Sequence, residues 1–239
     1  MRQPGKVTVL KRRTAIRIAA VLLIPLTIAS IYALVVVRSA TETTQRVIET
    51  TESFESSGLT PESLPADWLD DLLAVEDPSF YRHNGVDLTT PGAGLTTLTQ
   101  GLVKIHYFDD FQPGLGKIDQ TILALHLDRA LTKRQQLVLL LNTARLGTLA
   151  GQQVSGFASA SIAYFDKDVD ELTHNEFLSL VAMLVGPNHL NVMSNPEENQ
   201  RRVRRILAML AGECSPNGLT DVYYEECAVS VLGSNREAR

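Results

Sequence analysis

From Pro65 onward, apolar side chains recur three and four positions apart, the spacing that places them on one side of a helix. Trp68, Leu69, Leu72, Leu73 and Val75 mark the first such face. Pro65 suits an opening turn, and Pro78 disfavours helix at Asp77, so this helix is expected to end near Glu76. A second pattern runs from Lys117 to Leu131, with Ile118, Ile122, Ala124 and Leu125 as its inner stripe. Thr132-Lys133-Arg134-Gln135 reads as a capping box opening a helix through Asn142, and Thr173-His174-Asn175-Glu176 as another, opening a helix that stops at Gly186-Pro187. Asn195-Pro196 starts a further helix through Leu210, closed by Gly212. No alternating strand signal and no internal repeat stands out, so the expected class is all-α. Residues 77–100 and 143–161 read as glycine-containing loops, where function tends to sit when helices hold them in place.

Upstream the pattern changes. Residues 18–37, IAAVLLIPLTIASIYALVVV, are uncharged over a length that can cross a hydrocarbon core of roughly 30 Å as a helix. Pro25 is tolerated in such a span. A cleaved signal peptide is the competing reading, but its apolar region is usually about 7–15 residues and ends in small side chains. An uncleaved anchor is therefore expected. Six basic residues precede the run and Arg38 follows it, which places the N-terminus in the cytoplasm and the main body on the outer or periplasmic side. The chain then divides into a basic cytoplasmic head (1–17), a transmembrane helix (18–37), an acidic juxtamembrane stalk (38–64), a helical domain (65–211) and a C-terminal tail (212–239).

Charge sharpens this division. The formal net charge of −5 averages over a head without acidic residues and an acidic body, in which ten acidic residues fall between Glu42 and Asp77 against Arg46 alone. Such a body argues against a nucleic-acid partner, which requires a basic face. The length of 239 residues leaves room for one domain with a core, and an attached second catalytic domain is not expected. Cys214 and Cys227 lie near the C-terminus. In an oxidising compartment they are candidates for a disulfide; two unrelated buried thiols are the other reading.

Several residues suggest chemistry. Glu76 and Asp77 end the first helix, where the negative end of the dipole disfavours ionisation and burial beside Phe80 would add to it, as a general acid or base near neutral pH requires; a solvated helix end is the plainer reading. His83 follows in a glycine-containing turn, where it can orient a carboxylate or the loop; a structural or solvent-exposed histidine is the plainer reading. Thr97, Gln100 and Lys104 share a helix face that can grip a phosphate or a sugar, with Thr96 and Thr99 beside it. An ordinary polar helix surface is the plainer alternative.

The segment AVEDPSFYRHNGVD, Ala74 to Asp87, resembles the first motif of the glycosyltransferase family 51 peptidoglycan polymerases, the transglycosylase domain of class A penicillin-binding proteins. Glu76, Asp77, Phe80, His83 and Gly85 fall on its fixed positions. GLTTLTQGLVK, Gly94 to Lys104, is similar to the second motif through Gly94, Thr97, Thr99, Gln100, Leu102 and Lys104, with Thr96 for serine and Gly101 for a second glutamine. Lys117 to Gly147, then Tyr164-Phe165 with Lys167, then Arg201-Arg202 with Ile206-Leu207, resemble the remaining motifs in order. The resemblance implies a lysozyme-like helical fold and polymerisation of lipid II into glycan strands. It implies Glu76 as the base on the acceptor 4-hydroxyl. Asp77, Phe80, His83, Thr97, Thr99, Gln100, Lys104 and Lys117 are then expected around the substrate, with the two lysines on the departing pyrophosphate. It further implies an assisting divalent metal (Mg or Mn), for which no ligand set is assigned, and penicillin-binding or other wall-synthesis proteins as partners.

The third motif departs from the family. Its arginine is Gly116 and its glutamate is Gln120, which can hydrogen-bond but carries no charge. Only six residues separate Asp87 from Gly94, where the family has a longer segment. Two expectations follow: an active polymerase, or a non-catalytic member that binds lipid II or a wall-synthesis partner. A lysozyme-like hydrolase is the third, weakened because no second carboxylate stands out at a glycosidase spacing.

Overall fold

The computed structural model describes residues 5–92 and 94–227, with side chains described for Val21 and for residues 23–92 and 94–227. The basic side chains of the expected head, and residues 228–239 of the tail, lie outside the described residues. The described chain is mostly helical: α1 (Gly5–Ser39), α2 (Thr41–Ser57), α3 (Ala66–Glu76), α4 (Leu98–Tyr107), α5 (Leu115–Ala130), α6 (Lys133–Thr143), α7 (Phe157–Phe165), α8 (His174–Met183) and α9 (Pro196–Leu210).

Helices α6 and α8 form the centre. Residues 136–141 of α6 and 177–183 of α8 are buried without a break, the signature of helices surrounded on all sides. Helices α2, α4 and α7 pack on α6, and α3, α7 and α9 on α8. Trp68 of α3 stacks on Phe177 of α8 with ring centroids 4.7 Å apart, and Phe157 of α7 meets the same ring at 5.6 Å. The two capping boxes are present: Thr132 with Gln135 opens α6, and Thr173 with Glu176 opens α8. Glu176 also pairs with Lys167 at 2.7 Å.

The all-α expectation needs one correction. Residues 145–155 form an antiparallel hairpin of β1 (Arg145–Leu149) and β2 (Gln152–Ser155). Its strands are too short to show alternation, and a register irregularity between Arg145 and Thr148 puts Leu146 and Gly147 inward side by side. The turn residues Ala150 and Gly151 both have positive φ, at 50° and 80°, as tight hairpins require, without the usual Asn or Asp cue. The remainder of the expected loop 143–161 is the start of α7.

Within residues 38–64, α2 docks on α6 through Val47 and Thr51. Asn142 of α6 clasps the chain just after α2: its Oδ1 accepts from Leu59 N–H at 2.9 Å and its amide donates to Leu59 O at 2.7 Å. Among the described residues no single helix is long and apolar enough to cross a membrane; Leu23–Ser39 and Thr41–Ser63, bent by 52°, pass that test together by length and composition. Apolar side chains of α1 from Val21 to Val35 are largely exposed, and Tyr32 Oη donates to Asp119 of α5 at 2.6 Å.

Candidate active site

A cleft of about 410 Å³ opens between the end of α3, the loop before α4, the start of β1, the end of α8, and α9. Glu76, Lys104, Arg145 and Arg202 line it, among apolar walls that include Val75, Leu98, Leu140 and Val222. One carboxylate thus faces three cations.

Glu76 is the last residue of α3 and its side chain is only 15 % exposed. Its Oε1 is buried without a hydrogen-bond partner; the nearest cation, Arg202 Nη2, is 3.8 Å away. Burial pushes its carboxyl up to about 7, against the pull of Arg202 and with a further push from Asp77. A carboxylate that lines the cleft and whose pKa is raised toward neutrality can accept a proton from a hydroxyl placed there.

Asp77 does a different job. It is fully buried, accepts the Leu98 N–H at the start of α4, and sits 3.0 Å from His83 Nε2. Gly85 N–H donates to His83 Nδ1 at 3.0 Å, so Nε2–H is left to donate to Asp77. Burial raises the Asp77 pKa, opposed by these donors. Phe80 is buried under the knot, with Lys133 Nζ 4.5 Å over its ring. The first motif therefore ties the end of α3 to the start of α4, and of its fixed positions Glu76, Asp77, Phe80, His83 and Gly85 only Glu76 lines the cleft.

The second motif behaves similarly. Thr97 caps α4, donates to Gly85 O at 2.7 Å and shares a capping box with Gln100. Thr99 donates to Gln136 of α6 at 2.7 Å. Thr99 and Gln100 are buried in these contacts, so their influence on a ligand runs through the position of α4. Lys104 does reach the cleft. Lys117 donates to Thr96 at 2.8 Å, and burial together with Lys104 lowers its pKa. Gln120 is buried; its amide donates to Gln100 O at 2.7 Å and its Oε1 has no partner.

A divalent metal finds no set of ligands here. Among the described residues no group of three or more His, Cys, Asp or Glu side chains is placed to hold one, and Asp77 is enclosed by its own donors.

Arg145, Val222 and Tyr224 are among the lining or supporting residues that the sequence did not mark. Arg145 sits on the unpredicted hairpin, and Val222 and Tyr224 come from the tail, joined by the Cys214–Cys227 disulfide. None carries a local signal.

The transglycosylase family matches residues 44–211, beginning inside α2. The chain is 36 % identical over 152 residues to penicillin-binding protein 1B of Buchnera aphidicola subsp. Acyrthosiphon pisum, covering 58 % of this chain and 20 % of that protein. It is 32 % identical over 155 residues to penicillin-binding protein 1B of Escherichia coli, covering 59 % and 18 %. Against penicillin-binding protein 1A of Neisseria cinerea it is 34 % identical over 149 residues, covering 57 % and 18 %. The chain spans about a fifth of the length of these relatives.

Proposed function

Because this chain belongs to the transglycosylase family, we propose that it is a membrane-anchored peptidoglycan glycosyltransferase that polymerises lipid II, with Glu76 as the general base. The observation that carries the reading is the buried Glu76 carboxylate, pushed up to about 7 with one oxygen unpartnered, in a cleft lined by Lys104, Arg145 and Arg202. In the proposed step Glu76 takes the proton of the acceptor 4-hydroxyl. The freed oxygen bonds to the donor anomeric carbon while the bond to undecaprenyl pyrophosphate breaks. Lys104 and Arg145, with Lys117 nearby, offset the charge that builds on the leaving pyrophosphate, where stabilisation lowers the barrier most. Anchoring through α1, with the domain on the outer or periplasmic face, is supported by the exposed apolar side chains of α1 and the basic residues ahead of them.

A second reading, a non-catalytic member that binds lipid II or a wall-synthesis partner, is favoured by the third motif. Gly116 brings no guanidinium, and the Gln120 amide is engaged with the backbone of α4. The test is incubation of full-length protein with labelled lipid II, with and without a chelator, beside Glu76→Gln. Polymer from wild type and none from Glu76→Gln supports the enzyme. Absence of polymer from wild type, with lipid II retained in a pull-down, replaces it with the binding reading.

A further inference from the structure

The segment after α9 lies beyond the family match, yet it builds part of the cleft. Gly92 N–H donates to Gly218 O at 2.9 Å and Gly94 N–H to Leu219 O at 2.8 Å, which lays the segment along the loop before α4. A Cβ on Gly94, whose φ is +70°, would stand 2.8 Å from Val222 Cγ1, so the Val222 side chain packs directly on the Gly94 backbone. Tyr224 is buried and its hydroxyl donates to the carbonyl of Val75, the residue before Glu76. It adopts φ 53°, a left-handed conformation that a bulky side chain rarely takes unless its surroundings impose it.

Arg202 shows what this placement achieves. Its side chain is 3 % exposed, and Nε and Nη1 have no hydrogen-bond partner. The guanidinium instead lies 4.9 Å from the Tyr224 ring centroid and 5.6 Å from that of Tyr223. A buried cation held by ring faces depends on those rings for its position. We propose that Tyr224 is a positioning residue: it clamps Arg202 against Glu76 from a tail that the Cys214–Cys227 disulfide closes into a loop. The inference rests on Glu76 being the base. The charged groups around Glu76 are Arg202 from α9, Asp77 at the end of α3, Lys104 from α4 and Arg145 from β1. Burial and Glu76 raise the Tyr224 hydroxyl far above its ordinary pKa, so Tyr224 acts by position and not by titrating.

The test uses full-length protein in detergent with carbon-13-labelled glutamate carboxyls, Glu76→Gln assigning the signal, and polymerisation rates from lipid II measured in parallel. Tyr224→Leu keeps apolar bulk but loses the ring, so Arg202 loosens and the Glu76 midpoint rises by about half a unit or more, threefold in proton affinity. The acid limb of the rate profile moves up equally, and at pH 9 the rate returns to within about twofold of wild type, since Glu76 is then ionised in both. Tyr224→Phe retains the stack but loses the hydroxyl that donates to Val75 O, so its midpoint moves less than that of Tyr224→Leu. An unmoved or lowered midpoint in Tyr224→Leu overturns the clamp, as does a Phe variant shifted as far as Leu. A shifted midpoint alongside a wild type that makes no polymer at any pH supports the clamp and sinks the base reading instead. Polymer from wild type with an unmoved midpoint does the reverse.

Discussion

Arg202 Nη2 stands 3.8 Å from Glu76 Oε1, near enough to attract the carboxylate and too far to hydrogen-bond it. At that separation the guanidinium partly offsets the cost of burying the carboxylate without engaging it in a hydrogen bond. Replacing Arg202 with Met removes the attraction, so the Glu76 pKa is expected to climb above its value of about 7. The acid limb of polymerisation should then move to higher pH. A rate profile read from pH 5 to 9 checks this, and a limb that stays or falls contradicts it.

In wild type the proposed base works only when ionised, so the rate should rise with pH through about 7. A decline is expected at higher pH, below the ordinary lysine range, because burial and Lys104 lower the Lys117 pKa. Lys117→Arg should push that decline upward.

Glu76→Gln should lower polymerisation by about 100-fold or more, as loss of a general base does. It should also stabilise the protein at alkaline pH. The raised folded-state pKa means that Glu76 contributes stability fully below its unfolded pKa near 4.5, lost as pH rises through about 7. At pH 8 the glutamine variant is expected to gain up to about 3 kcal/mol over wild type, with little difference at pH 4. Denaturant melts at the two pH values read this directly.

Gln120→Glu, which restores the family carboxylate, should be destabilising here. It replaces the amide that donates to Gln100 O at 2.7 Å with an oxygen facing that carbonyl. A loss of about 1–3 kcal/mol at pH 8, shrinking as the pH falls and the carboxyl protonates, is the expected outcome. Gly116→Arg should be tolerated, since a Cβ there meets only Phe111 at 3.7 Å. Raised polymerisation in Gly116→Arg is therefore expected before any gain from position 120.

Helix ends and capping boxes were legible because local chemistry sets them: Thr132 with Gln135, Thr173 with Glu176, and Pro78 after Glu76 each act within four residues. The hairpin was not, because Leu146 and Gly147 point inward as neighbours and hide the period of two. Spacing also marked Thr97 and Gln100 as polar residues near the site, but not that each answers the other in a cap. Arg145 reaches the cleft and Tyr224 the end of α3 only through tertiary contacts, which no local pattern records.

The Asn142 clasp on Leu59 reaches beyond the core. It fixes the end of α2 to α6, while Tyr32 ties α1 to Asp119 on the helix that also carries Lys117 and Gln120. The N-terminal helix is thus part of the frame of the domain: α1 is held to α5 and α2 to α6 by side-chain contacts as well as by chain connectivity, so the direction in which α1 leaves the domain is fixed by the same helices that carry Lys117 and Asn142.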